Sequence, residues 1–278
     1  MNATRLLRWS LAAVCASVIA AGVVADAQQA SQQYQPQVGQ PGKDVVWVPT
    51  AQTLVDKMLD MAKVTPQDYL IDLGSGDGRT VITAVKRGAR ALGIEYNPDM
   101  VELSKANAAK EGVGSKATFL KADLFETDFS EATVVTMFLL PDINLKLRPR
   151  MLNLKPGTRI VSNSFRMEDW TPDEEVRVTD GCETWCTALL WIVPAQVQGT
   201  WQLANGAISL TQSFQMISGN LQSGTTTEAI AEGRLRGADI SFTAGGVSYS
   251  GHVNGRGLEG TFSSAAGTGS WKATRQGK

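Results

Sequence analysis

The feature that most constrains the fold is a regular alternation of short apolar runs with helix-length segments, beginning at Tyr69. YLIDL (69–73) breaks into the glycine-rich GSGDGR, and the segment TVITAVKR is then stopped by Gly88. RALGIEY follows, then a helix opened by Asn97-Pro98 and ended near Gly112, then TFLKADLF. ATVVTMFLL (132–140) and TRIVSNSF (158–165) read as strands four and five. Apolar strands spaced by helices imply parallel crossover units with strands buried on both faces. EEVRVTD and TWCTALLWIVP, separated by Asp180-Gly181, read as a closing hairpin, which makes seven strands with an antiparallel member in the last pair. Upstream, Thr50 is placed as the N-cap of a helix over AQTLVDKMLDMAKV, where Leu54, Met58 and Ala62 recur every four residues.

At Pro194 the composition changes. Fifteen of the 27 glycines and none of the 10 prolines lie beyond it, among short alternating runs such as AISLTQSFQMI and VSYSGHV. This predicts an antiparallel sheet or small barrel whose backbone donors are all in use. The fold class expected is therefore α/β, a seven-stranded Rossmann-like sheet followed by a small antiparallel all-β domain.

The N-terminus has the three-part layout of a secretory signal: Arg5 and Arg8, an apolar run from Leu11 to Val24, and Ala25-Asp26-Ala27. The expected segments are a signal peptide over 1–27, a disordered Gln-rich leader over 28–43, a sheet domain over 44–195 and a β domain over 196–278. The location expected is periplasmic or secreted. Without residues 1–27 the chain keeps 24 basic and 26 acidic side chains, a net charge of −2, which does not describe a nucleic-acid-binding face. Nor is a membrane span expected in the mature chain. Cys182 and Cys186 lie too far apart to bridge on one extended strand, about 13 Å, but a turn between them permits a disulfide. No metal site is expected, since the one histidine, His252, stands far from both cysteines.

The loop departs from the dinucleotide pattern G-x-G-x-x-G, because Gly78 comes one residue early and Arg79 stands third; no Gly-Lys-Ser/Thr follows either. Asp72 and Asp77 flank the backbone that a pyrophosphate would approach, and like charges at about 4 Å repel by about 4 kcal/mol at an effective dielectric of 20. A nucleoside ligand with positive charge and no phosphate escapes that repulsion, and S-adenosylmethionine carries a sulfonium and an ammonium group.

Over about Val46 to Pro194 the sequence resembles class I S-adenosylmethionine-dependent methyltransferases. The resemblance implies that Asp72, Gly74, Ser75, Gly76, Asp77 and Gly78 hold the methionine part and the adenosine, that Glu95 accepts from the ribose hydroxyls, and that Asp123 with Leu124 takes the adenine edge. VPT (48–50), DLGSGDGR, GIEYNP, DLF and FLLP are similar, more narrowly, to the lysine methyltransferases that modify the ATP synthase c ring protein and to their bacterial relatives. That likeness implies a lysine acceptor. FLLPD makes Asp142 the candidate base or ammonium acceptor, with helix capping as its other reading, and Thr50 the candidate to close the site. A small-molecule acceptor, or a non-catalytic envelope-binding protein with the β domain as its working surface, are the competing functions.

Overall fold

A computed structural model describes residues 34–277. The expected signal peptide and residues 28–33 of the leader lie outside the described residues. Seven strands form one mixed sheet: β1 (Tyr69–Leu73), β2 (Arg90–Glu95), β3 (Ala117–Lys121), β4 (Val134–Met137), β5 (Arg159–Asn163), β6 (Glu174–Arg177) and β7 (Thr187–Ile192), in the order β3-β2-β1-β4-β5-β7-β6. β1 to β5 run parallel, and β7 runs antiparallel to both β5 and β6, as the closing hairpin predicts. The chain returns to the middle of the sheet between β3 and β4, so the topology reverses direction at β1 and β4, the place where open α/β sheets leave a crevice at their carboxyl ends.

Helices α1 (Gln52–Met61), α2 (Arg79–Lys86), α3 (Pro98–Lys110) and α4 (Pro141–Leu152) cover the sheet. α1 buries Leu54, Val55, Met58 and Leu59, the stripe its periodicity marks. Asn97 caps α3 as expected, its side chain accepting from Asp99 N, with Pro98 in the first turn. Thr50 does not cap α1. The cap position is Ala51, without a side-chain bond, and Thr50 Oγ1 instead accepts from Asn163 Nδ2 at 3.2 Å. Two apolar clusters fill the space on either side of the sheet, one around Leu59, Leu70 and Val134 and one around Leu73, Met137 and Trp191.

The second architecture is a closed eight-stranded antiparallel barrel: β8 (Gly199–Leu203), β9 (Gly206–Ser213), β10 (Met216–Ser223), β11 (Thr226–Arg236), β12 (Asp239–Ala244), β13 (Val247–Asn254), β14 (Gly257–Ser264) and β15 (Gly267–Arg275). Adjacent strands pair as hairpins, and β15 closes on β8 through Ala273 opposite Leu203. Its interior is packed by Trp201, Leu235, Phe242 and Trp271 as a cluster separate from the two under the sheet. Gly219 and Gly260 show why glycine is frequent here, since a Cβ at either would run into the carbonyl of the neighbouring strand.

Barrel and sheet touch through specific partners. Arg234 Nη2 meets Asp173 Oδ1 at 2.6 Å, and the Asp173 side chain is 0% exposed. Gln215 Nε2 donates to Thr171 O (2.7 Å), Phe214 stacks on Trp170 (5.8 Å between centroids), and Ala195 N donates to Gly237 O. None of these residues lines the crevice at the end of β1.

The described part of the leader is ordered, which corrects the expectation for residues 36–43. Gly39 N donates to Trp47 O and Trp47 N to Gln40 O, so the chain folds back in a short hairpin. Its anchors are Trp47, which lies against the glycine loop, and Lys43, which reaches Asp123. Side-chain anchors of this kind hold a segment whose composition offers little to bury.

Candidate active site

The crevice is a cavity of about 500 Å³ along the carboxyl ends of β1, β2, β3, β4 and β5, roofed by residues 40–50. That size suits a nucleoside-containing ligand. Its first half is built from one continuous loop. Gly74, Gly76 and Gly78 have φ of 77°, 54° and 83°, a left-handed region that glycine enters without penalty. A Cβ on Gly76 would come within 2.9 Å of Trp47 Nε1, so the bare backbone is also what lets the roof close.

Of the nine predicted cofactor residues, Asp72, Gly74, Ser75, Gly76, Asp77, Glu95, Asp123 and Leu124 line this cavity. Gly78 does not. It is the N-cap of α2, and its missing side chain leaves room for Phe119 and Ser104, a packing reason that the glycine run does not distinguish from a ligand contact.

The carboxylates are prepared in different ways. Glu95 accepts from Gly76 N (3.0 Å) and Asn97 N (2.9 Å), which fixes its plane at the end of β2 and leaves lone pairs for hydroxyl donors. Asp72 is buried at the end of β1 and accepts from Thr136 Oγ1 at 2.6 Å. Burial, together with the charges of Asp77 and Glu95, pushes its carboxyl up to about 7 against the pull of Thr136. Asp77 is not a free charge, because Arg79 grips it through Nε (3.0 Å) and Nη2 (2.6 Å) while Nη1 donates to Thr50 O (2.7 Å). Repulsion of a pyrophosphate therefore falls to Asp72 and Glu95 rather than to Asp72 and Asp77.

Asp123 holds Lys43 Nζ at 2.7 Å, and the pair lowers the Asp123 carboxyl and raises the Lys43 ammonium from their ordinary values. Lys43 also lies over the rings of Tyr96 (5.2 Å) and Phe125 (5.6 Å). The Asp123 end of the cavity is thus lidded by a residue of the expected leader.

The second half of the cavity holds the larger surprises. Thr50 lines it, oriented by Asn163, whose Oδ1 accepts in turn from Ser164 Oγ at 2.8 Å. Asp142 does not line it. It sits exposed in the first turn of α4, which starts at Pro141 with Leu140 at the cap position and no side-chain cap bond, so Asp142 neither faces the cavity as a base nor caps the helix; its charge only suits the helix N-terminus. The wall that sequence reasoning missed is aromatic: Phe138 after β4, Phe165 after β5, and Trp185 in the loop between β6 and β7. That loop is closed by a disulfide between Cys182 and Cys186, whose Cα atoms are 5.8 Å apart across the turn.

The residues present fit S-adenosylmethionine: a bare glycine backbone for the nucleoside, an amide-anchored carboxylate where hydroxyls would lie, and a buried acid at the switch point for a cationic amino acid group. Similar proteins agree with that fit. A family model for the ANTKMT methyltransferase domain matches residues 72–174. A protein-lysine N-methyltransferase of Saccharolobus islandicus is 46% identical over 140 residues, which is 49% of this chain and 87% of the relative. The human lysine N-methyltransferase named for the ATP synthase c protein is 35% identical over 128 residues, 46% of this chain and 54% of the relative, so the chain spans about half the length of that protein. Among solved structures, an RNA methyltransferase from Salinibacter ruber in complex with S-adenosyl-L-homocysteine is 47% identical with a TM-score of 0.51, covering 54% of this chain and 96% of that one. With the sheet order, the glycine loop and these relatives in agreement, the chain belongs to the ANTKMT methyltransferase family and is an S-adenosylmethionine-dependent methyltransferase.

Proposed function

We propose that the protein transfers a methyl group to the side-chain nitrogen of lysine in a protein substrate. The observation that carries this reading is the acceptor half of the cavity, walled by Phe138, Phe165 and Trp185 with Thr50 beside them and open at Trp185, which is 48% exposed. A long, flexible side chain with a cationic tip suits an aromatic wall of this kind. The 46% identical relative is named a protein-lysine N-methyltransferase, which supports the same class.

Bound at the glycine loop, S-adenosylmethionine would supply a methyl group on a sulfonium centre suited to in-line displacement. The chain's own residues have three tasks. Glu95 and the loop backbone fix the nucleoside, and Asp72 meets positive charge at the end of β1. Thr50, held by Asn163, offers a hydroxyl to the acceptor nitrogen. Residues 40–50 and the aromatic wall exclude water from the transfer, and the acceptor lysine, with an ordinary pKa of about 10.4, gives up its proton to bulk water before its nitrogen attacks.

The solved relative described as an RNA methyltransferase raises a nucleic-acid acceptor as the contrast. The cavity lining argues against a polyanion, because among the described residues Asp44, Asp72, Asp77, Glu95 and Asp123 are joined there by just two cations, Lys43 and Arg79. Incubation with methyl-labelled S-adenosylmethionine and a mixture of total cell protein and total RNA tests the choice. Label recovered as Nε-methyllysine after acid hydrolysis is the expected result; label recovered in nucleotides, or in no macromolecule, overturns it.

We further propose that the reaction takes place outside the cytoplasm, in the periplasm or as a secreted protein. The N-terminal basic, apolar and small-residue pattern supports this, and the Cys182–Cys186 disulfide is a bond that persists in oxidising compartments. Cell fractionation with N-terminal sequencing should find a mature chain beginning at Gln28; a cytoplasmic chain beginning at Met1 would refute it. The boundary near Pro194 is likewise proposed as a domain boundary, supported by the separate apolar cluster of the barrel.

A further inference from the structure

We infer that Phe138, Phe165 and Trp185, the last carried in a loop closed by the Cys182–Cys186 disulfide, form an aromatic receptor for the ammonium tip of the acceptor side chain. The inference rests on the lysine reading and deepens it, by naming the residues that select a cationic acceptor over a neutral one.

Position gives the first reason. The residues suited to the cofactor follow β1, β2 and β3, whereas the three rings follow β4, follow β5 and lie in the loop between β6 and β7, on the far side of the switch point in the same cavity. A ligand held by Gly76, Glu95 and Asp123 leaves that side for the second substrate. The rings are also mutually close. Phe138 and Phe165 stack at 5.8 Å between centroids, Phe165 and Trp185 tilt at 5.0 Å, and Phe138 and Trp185 tilt at 6.3 Å. The rings form one contiguous aromatic surface, so a cation seated on it within about 6 Å of one ring centroid lies beside a second ring.

Backbone conformation gives the second reason. Trp185 has φ of 56° and Ser164 has φ of 59°, a region that bulky L residues rarely enter. Such conformations persist where the surroundings over-determine them. Here the disulfide closes the turn around Trp185, and Thr53 Oγ1 donates to Gly181 O (3.2 Å), tying the same loop to α1. Ser164 N donates to Thr187 O (2.7 Å) and Ser162 Oγ to Phe165 O (2.8 Å), so Phe165 is held as firmly from the other side. The result is an indole nearly half open to water, at the entrance of the cavity.

Electrostatics give the third. Lys43 is shared by Asp123 and Asp44 and Arg79 is engaged by Asp77, which leaves the amide-held Glu95, joined by Asp72 as it ionises above about pH 7, to set a negative field in the cavity. A neutral amide gains little from that field or from the ring quadrupoles, while an ammonium gains from both, and successive methylation leaves the charge in place.

The test uses the full mature chain saturated with S-adenosylhomocysteine, whose own affinity is measured first. Two probes are then titrated calorimetrically: an acetylated, amidated Nε-trimethyl-lysine, and its neutral isostere with a tert-butyl group replacing trimethylammonium. The charged probe is expected to bind at least about tenfold more tightly than the isostere. Trp185→Ala should remove that preference and Trp185→Phe should keep most of it, with S-adenosylhomocysteine affinity changed by less than about twofold in both. Opening the loop with Cys182→Ser plus Cys186→Ser should weaken the charged probe by about three- to tenfold and spare the cofactor analogue in the same way. Equal binding of the two probes, or an unchanged preference in Trp185→Ala, overturns the receptor even where the transfer experiment finds methyllysine. A lost affinity for S-adenosylhomocysteine in the parent protein would instead count against the cofactor site itself.

Discussion

The two halves of the cavity are built by different means. On the cofactor side, Asp72 to Asp77 come from one continuous stretch, the end of β1 and the loop after it, and Glu95 is locked by two backbone amides. On the acceptor side, Phe138, Phe165 and Trp185 come from three separate loops and are brought together by a turn, two left-handed residues (Ser164 and Trp185) and a disulfide. The first half is bare backbone and carboxylate; the second is aromatic and partly open. A methyl donor shared by many enzymes is met by contiguous chemistry, while the choice of acceptor falls to residues that only the tertiary fold assembles.

Three perturbations break or sharpen this contrast. The largest effect is expected from Gly76→Val, where φ of 54° and the 2.9 Å approach to Trp47 leave no place for a branched side chain. Calorimetry should show S-adenosylhomocysteine binding weakened more than about 100-fold in a chain whose circular dichroism is unchanged. Retained affinity would mean that the loop is not the cofactor wall.

The next effect is a pH dependence seated at Asp72. Its folded carboxyl titrates at about 7 because burial, Asp77 and Glu95 disfavour the charge. A cationic ligand favours the ionised form, so S-adenosylmethionine affinity should fall by up to about tenfold per unit as pH drops below 7, and Asp72→Asn should flatten that profile. The same group shapes the stability of the free protein. From about pH 4 to about pH 7 the folded state holds a proton that the unfolded chain has lost, so stability declines as pH rises through that window and levels off above it, by at most about 4 kcal/mol. Thermal melts of parent and Asp72→Asn between pH 5 and pH 8 should converge at the acid end.

The smallest effect on the cavity should come from the barrel. Arg234→Ala strips the cation from the enclosed Asp173, which still accepts from Ile192 N at 2.8 Å, and should cost about 1–3 kcal/mol of stability. Affinity for S-adenosylhomocysteine should stay within about twofold, because no barrel residue lines the cavity. A larger loss of affinity would join the barrel to the catalytic unit.

The legibility of each feature follows the same division. The seven strands and their antiparallel hairpin are readable because buried parallel strands are continuous apolar runs with glycine and Asn-Pro between them. The glycine loop is readable because its function needs adjacent residues. Gly78 misleads, since a glycine that clears space for Phe119 looks the same in sequence as one that clears it for a ligand. Asp142 misleads because a strand-end position does not fix direction into the crevice; one residue past Pro141 the helix already turns it outward. The strands of the barrel show in their alternation, but its closure depends on β15 finding β8, a pairing of Ala273 with Leu203 that no local pattern encodes. The roof is hidden by composition, for its order depends on Trp47 and on Lys43 meeting Asp123, 80 residues away.

Two-substrate steady-state kinetics, with S-adenosylmethionine and poly-L-lysine on the parent, Glu95→Ala and Trp185→Ala enzymes, test the division of the cavity most directly. Glu95→Ala should raise KM for S-adenosylmethionine by about ten- to hundredfold and leave KM for the lysine polymer within about twofold, while Trp185→Ala should do the reverse. Both constants moving together in either variant would contradict the separation of donor and acceptor halves.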